Sequence, residues 1–233
     1  MPLPDSPAQA LDELNAEVVV CTKCPRLVEW RQRVAREKRA SFADWTYWGR
    51  PVPGWGDPEA RILVVGLAPA AHGGNRTGRV FTGDRSGDWL FASMYRCGLA
   101  NQPTSTHRDD GLKLTDIYIS AVVKCAPPAN KPTIDERDNC IPYFVREMDI
   151  LPNVKVMIAL GSFGWDGALR VWELSGHPRP RPKPRFGHLA EVDLGGVVLV
   201  GSYHPSQQNT FTGKLTEEMM DAVFHRAISL CGS

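Results

Sequence analysis

The sequence predicts an α/β protein: a three-layer α/β/α sandwich around a central, mostly parallel sheet of four strands. Four apolar runs alternate with stretches of helical periodicity, and such strand–helix–strand units need crossovers that cover both faces of a sheet. The length, 233 residues, suits one large domain, so residues 1–233 are read as a single unit. In an open parallel sheet the ligand crevice lies beyond the carboxyl ends of the strands. The loops that start at Gly66, Lys124, Gly161 and Ser202 are therefore expected to converge.

From Ser6 to Val20, apolar Ala10, Leu11, Leu14 and Val18 oppose Asp12, Glu13 and Glu17, which predicts an amphipathic helix capped near Asp5 or Ser6. It runs into the pair Cys21 and Cys24. A cation-rich helix follows over Arg26–Arg39, and Trp45–Pro58 is a loop of Trp, Gly and Pro expected to pack by its aromatics. The first strand, Arg61–Val65, is continuously apolar, as buried parallel strands are, and opens into a glycine-broken stretch over Gly66–Gly87. A helix over Asp88–Cys97 and a strand over Ile117–Val123 come next. The prolines in Lys124–Pro132 then forbid regular structure.

Thr133 caps a helix to Leu151, Val154–Leu160 is the third strand, and Gly161–Ser162 opens a helix to Leu174. Gly176–Gly187 alternates proline with Arg179, Arg181, Lys183 and Arg185, an extended surface loop. The fourth strand, Val197–Gly201, delivers Ser202–Ser206, and Thr216–Leu230 is the last helix.

Composition narrows the function classes. Lys and Arg number 27 against 26 Asp and Glu, so any basic face must be local. No run reaches the ~18 apolar residues of a membrane span, and the first residues lack the basic start and apolar block of a secretory signal. No membrane partner and a cytoplasmic location are expected. Six cysteines in such a chain read as metal ligands or core residues rather than disulfides. Cys21 and Cys24 form a C-x2-C pair, and Cys125 and Cys140 are separated by fourteen residues. Four thiolates could close a site for zinc or a [4Fe-4S] cluster, which spacing alone does not separate. Cys97 and Cys231 fall within helical patterns and read as core. A four-thiolate group would staple the N-terminal helix to the middle of the sheet, structural work away from the crevice.

The loop Gly66–Asp84, GLAPAAHGGNRTGRVFTGD, lacks both the G-x-G-x-x-G spacing and a Walker lysine. It offers backbone N–H groups, the aromatic Phe81, which reads equally as core, Arg76 and Arg79, and one carboxylate, Asp84, which reads equally as a helix N-cap. At the last strand end His204 stands beside a proline turn and a polar loop.

GLAPA after a strand, HPS with a following Asn-Thr near the end, and the C-x2-C plus C-x14-C cysteines together resemble the uracil-DNA glycosylase superfamily in its iron–sulfur branch. More narrowly, GLAPAAHGGNRTGRVFTGD and KCAPPANKPT resemble its family 5, or type B. The resemblance implies a [4Fe-4S] cluster on Cys21, Cys24, Cys125 and Cys140. It implies a monomeric enzyme that flips uracil, hypoxanthine or xanthine out of double-stranded DNA and hydrolyses the glycosidic bond. Phe81 would stack on the flipped base, with Gly66 and Ala68 N–H groups on its carbonyls. His204 would stabilise the departing base at O2, and Asp84 and Asn130 would handle water or the sugar. The loop Gln207–Lys214, with Asn209 and with Phe211 as wedge, would enter the minor groove. Arg76, Arg79 and Lys214, joined by the cations of the proline loop, would hold phosphates.

Two departures bear on specificity. Ala68 stands where most of the superfamily has a water-activating polar residue, as in type B, and Ala121 stands where type 4 carries a uracil-reading asparagine. A pocket without that amide is expected to be less selective. A strictly uracil-directed type 4-like enzyme, a non-catalytic iron–sulfur DNA-binding module and a zinc-stapled nucleotide-binding protein are the competing readings.

Overall fold

A computed structural model describes residues 6–232. The elements, in chain order, are α1 (Pro7–Val19), α2 (Pro25–Glu37), β1 (Trp55–Gly56), β2 (Ile62–Gly66), α3 (Gly74–Thr77), α4 (Arg85–Arg96) and β3 (Ile117–Ala121). There follow α5 (Ile134–Ile150), β4 (Val156–Leu160), α6 (Gly161–Leu174), β5 (Glu191–Asp193), β6 (Val198–Ser202), α7 (Gln207–Phe211) and α8 (Glu217–Cys231).

The expected sandwich is present with a larger sheet. Six strands lie in the order β1-β3-β2-β4-β6-β5. The four predicted strands form the parallel centre, and β1 and β5 add antiparallel edges. The expectation of four strands is corrected because these edges leave no pattern. β1 has two residues, and β5 is three residues with an exposed–intermediate–exposed alternation. All five residues of β2, β3 and β4 are buried, which matches continuous apolar runs covered on both faces.

On one face α4 and α8 pack Phe91, Met94, Val223 and Phe224 against Ile62, Val64, Ile119 and Ile158. On the other, α5 and α6 pack Phe144, Trp165 and Leu169 against Leu63, Tyr118 and Met157. Ser6 caps α1 through its hydroxyl, while Asp5 lies outside the described residues. Thr133 and Glu136 close a capping box on α5. Helix α4 starts at Arg85, earlier than the expected Asp88, because Asp84 supplies the cap.

A fully buried ion pair ties β3 to α5. Lys124 Nζ lies 2.7 Å from Glu147 Oε2, and their side chains are 1% and 0% exposed. Ser120 donates to the same carboxylate at 2.6 Å and accepts from Lys124. The Lys124 backbone N–H meets the Cys140 sulfur at 3.1 Å, and its carbonyl accepts the Val52 N–H.

The strand order fixes where a ligand can sit. The chain leaves β2 through α4 toward β3 on one side, and leaves β4 through α6 toward β6 on the other. The carboxyl ends of β2 and β4 thus flank the point where the winding reverses, the position at which doubly wound sheets bind ligands.

Candidate active site

A groove of about 1300 Å³ opens there. The loops after β2, β4 and β6 line it, joined by Asn130 and by the segment 39–45 ahead of the sheet. The predicted convergence of loops is therefore observed.

Phe81 forms part of the floor. It is buried and held at φ +55°, a region costly for a bulky residue, which the surrounding loop must enforce. Its ring lies over Gly66, where a Cβ would come within 2.9 Å of Phe81 Cζ, so the end of β2 requires glycine. His204 stands opposite, its ring centroid 6.1 Å from that of Phe81 and tilted by 40°. The carbonyl of His204 accepts Asn209 Nδ2 at 2.9 Å and the Ser206 N–H at 2.8 Å, which locks the turn. Its ring nitrogens have no hydrogen-bond partner among the described residues, and burial pushes its pKa down to about 4. At neutral pH the imidazole is neutral and keeps one N–H to donate.

Gly161 lies against His204, with φ +80° and room for only 3.3 Å between a built Cβ and His204 Cβ. It opens α6, whose first turn has no side-chain cap. Its free N–H groups and Ser162 line the groove beside His204, an arrangement that suits an anionic group such as a phosphate.

Asp84 is both things at once. Its Oδ1 accepts the Gly87 N–H at 3.0 Å as the cap of α4, and its Oδ2 presses on Gly73 at the groove wall. Burial raises its pKa. Asn130 is exposed at the rim, with φ +55°. Ala68 lines the groove as expected.

Three expectations are corrected. Arg76 is 3% exposed and donates to the carbonyls of His72 and Gly83, with its guanidinium 3.9 Å from the Phe42 ring and 4.0 Å from the Trp45 ring. Arg79 is 6% exposed, paired with Asp110 at 2.8 Å and bonded to Thr82, Ser105 and the Arg108 carbonyl. Both arginines organise the loop from inside and offer little to a phosphate. Ala121 is wholly buried in the core beside Phe81 and does not line the groove.

The β6 loop fits better. Phe211 is 70% exposed at the end of α7, under the Arg85 guanidinium at 5.5 Å. Lys214 is exposed, its Nζ 4.9 Å over the Tyr203 ring at the groove. Asn209 lines the groove, but its amide N–H holds His204 rather than facing outward. In the proline loop Lys183 pairs with Asp166 at 2.7 Å, while Trp165 donates to the Pro184 carbonyl.

Reasoning from sequence missed the wall built by Arg39, Phe42, Trp45 and His72. Trp45 does pack by its ring, as its loop predicted, but onto Arg76 above the groove.

The four cysteines meet away from the groove. Cys21 and Cys24, in the turn between α1 and α2, and Cys125 and Cys140 line one small cavity. Three of the sulfurs face polar donors: Arg31 Nη1 at 2.8 Å from Cys125, the Lys124 N–H at Cys140, and Asn139 Nδ2 at 3.8 Å from Cys24. Donors of this kind stabilise thiolates. Among the described residues no three His, Cys, Asp or Glu form a group that could hold one metal ion. Four thiols around one cavity are the donor set that both a structural zinc and a [4Fe-4S] cluster use. Cys231 is buried at the end of α8 and Cys97 is half-buried at the end of α4, both as expected of packing residues. No helix among the described residues is long and apolar enough to cross a membrane.

Comparison with known proteins agrees with this geometry. Residues 53–227 match the model of the "Uracil DNA glycosylase superfamily". The chain is 54% identical to the type-5 uracil-DNA glycosylase of Mycobacterium bovis over 227 residues, covering 97% of this chain and 83% of that one. It is 52% identical to that of Mycobacterium leprae, covering 97% of each, and 48% identical to that of Thermus thermophilus, covering 92% and 95%. The crevice at the β2–β4 switch point, the GLAPA turn and His204 after β6 thus come with near-full-length similarity, and the chain belongs to the uracil-DNA glycosylase superfamily, alongside its type-5 members.

Proposed function

We propose that this protein excises uracil, and with it hypoxanthine and xanthine, from double-stranded DNA by hydrolysing the N-glycosidic bond. The observation that carries the reading is the neutral imidazole of His204, unpartnered and set beside the Phe81 ring in a groove large enough for a nucleotide. The relatives named as uracil-DNA glycosylases give the base chemistry.

A base inside a duplex is out of reach, so the nucleotide must swing out at a cost of a few kcal/mol. Phe211, exposed at the end of α7 whose Gln207, Gln208 and Asn209 line the groove, is suited to fill the gap. Lys214 and the open first turn of α6 hold the flanking phosphates. Phe81 stacks on the base. As the bond breaks, negative charge grows on the base and positive charge on the sugar. The His204 N–H meets the first at O2 from a turn already locked, a preorganised donor worth several kcal/mol. Asp84, in its carboxylate form, faces the second or draws a proton from the attacking water. Asn130 at the rim contacts the sugar side.

Ala121, buried beside Phe81, supplies no amide to the groove floor. That supports acceptance of larger deaminated purines. Cys21, Cys24, Cys125 and Cys140 would hold a [4Fe-4S] cluster, whose contribution is to cross-link α1–α2 to β3 and α5 rather than to transfer electrons. The test is release of abasic sites from duplex and single-stranded oligonucleotides carrying each base. Cleavage at uracil, hypoxanthine and xanthine in duplex is expected. Cleavage at uracil alone would overturn the purine half, and no cleavage with retained DNA binding would favour a non-catalytic binding module. A brown solution with four iron per chain is expected, and a colourless zinc-containing one would overturn the cluster.

A further inference from the structure

We infer that His72 is a specificity-determining residue of this groove, its Nε2–H donating to the oxo group that deamination leaves on a base. The inference rests on the glycosylase reading above. It starts from a hydrogen bond outside the predicted machinery: the Tyr47 hydroxyl and His72 Nδ1 are 3.0 Å apart, their rings edge-on at 6.0 Å.

The direction of that bond is assigned from the partners around it. Tyr47 is 8% exposed, and its oxygen already accepts the backbone N–H of Arg39 at 3.4 Å. A phenol has one proton, and among the described residues His72 Nδ1 is the acceptor within its reach. The phenol proton is assigned toward Nδ1, so that a neutral His72 carries its own on Nε2. Burial and the nearby charges of Arg39 and Arg76 lower the His72 pKa, which keeps the ring neutral. The residue is also clamped from behind, since its carbonyl accepts Arg76 Nε at 2.8 Å.

The other end of the ring is free. His72 lines the groove, and Nε2 has no hydrogen-bond partner among the described residues, although it is not one of the buried, unpartnered nitrogens that His188 exemplifies. A single N–H of fixed tautomer thus faces the space where the flipped base would lie.

The chemistry of deamination makes such a donor discriminating. Cytosine becomes uracil, adenine hypoxanthine and guanine xanthine by one exchange, an amino group for an oxo group. A fixed donor pairs with the oxo and meets the amino donor-to-donor, leaving both unpaired. One donor at this position can therefore accept uracil and hypoxanthine and reject cytosine and adenine, whereas guanine and xanthine both carry an oxo group there and differ at C2, on the side assigned to His204. The sheet places it suitably. His72 and His204 lie in the loops after β2 and β6, which flank β4, so their strand ends stand two spacings, about 10 Å, apart. A pyrimidine with a donor at ~3 Å on each side needs a similar span.

The experiment compares two duplexes in single turnover, one carrying uracil and one carrying pyrimidin-2-one, which lacks the O4 oxygen and with it the N3 proton, a difference that wild type and variant share. Wild-type enzyme and His72→Phe, which keeps the ring but not the donor, are assayed on both. If His72 reads the oxo group, deleting either partner should cost roughly tenfold or more and deleting the second should add little. His72→Gln, which returns an N–H near the Nε2 position, should restore most of the difference. Tyr47→Phe should weaken it, and the nitrogen-15 spectrum should show the His72 proton no longer confined to Nε2. Equal loss on both substrates in His72→Phe would overturn the inference and place His72 on the sugar or phosphate, as would no loss at all. Wild-type activity on uracil is the separate control: its absence would bring down the glycosylase reading, whereas its presence with zero coupling brings down His72 alone.

Discussion

His204 and Phe81 face each other at 6.1 Å across the end of the sheet, one from the loop after β6 and one from the loop after β2. Together they offer a planar ring in the groove a phenyl face for stacking and an imidazole for a hydrogen bond. His204→Ala should lower the single-turnover rate on uracil by about 100-fold with DNA affinity nearly unchanged, since the donor acts on charge that appears only as the bond breaks. A near-normal rate would remove His204 from the site.

The depressed pKa of His204, about 4, also has a sign for stability. Unfolded, the imidazole titrates near 6.5, so between about 6.5 and 4 the unfolded chain binds the proton that the folded one refuses. Its contribution is complete above pH 6.5 and is lost as pH falls toward 4. Denaturation midpoints measured across that range should decline in the wild type and less steeply in His204→Asn.

Asp84 can be divided into its two jobs. Asp84→Asn keeps an oxygen for the Gly87 N–H but removes the carboxylate. It should hold its melting temperature while losing rate, whereas Asp84→Ala should lose rate and about 1 kcal/mol of stability. An Asn variant with full rate would leave Asp84 as a cap only.

Arg79 and Lys214 should separate packing from DNA contact. Arg79→Ala leaves the half-buried Asp110 without its cation, held only by the Thr106, His107 and Leu112 N–H groups, and should cost about 1–3 kcal/mol with an unchanged salt dependence of binding. Lys214→Ala should be stable and shallower by about one unit in the slope of affinity against salt. The reverse pattern would restore Arg79 to the phosphates.

Cys125→Ser should lower thermal stability before it changes the rate per folded molecule, because the cysteines join segments a hundred residues apart. Lost activity at unchanged melting temperature would give the thiols a part in chemistry.

What the sequence reveals here depends on how the signal is carried. The parallel strands are legible because burial on both faces writes them as unbroken apolar runs, and Asp84 is legible as a cap because capping is local. His204 follows from a strand end beside a turn. Arg76 and Arg79 mislead because an arginine in a glycine loop looks the same whether it meets phosphate or, as here, carbonyls and aromatic rings contributed by residues 42–55 and 105–110. Ala121 misleads for a related reason: its position beside Gly66 is set by β2–β3 register, and whether it touches the groove depends on Phe81 lying over that pair. Tyr47 and His72 leave no pattern, since 25 residues separate a contact that only the folded loops create.

The Lys124–Glu147 pair bears on how the chain breathes. Any local opening that peels α5 from the sheet would strand two opposite charges in a dry interior and release Ser120 with them. Such a partial opening costs nearly as much as unfolding outright. The amide protons at the end of β3 and in the middle of α5 should exchange with deuterium together, at the rate of the whole molecule, while α7 and the rim around Asn130 exchange freely.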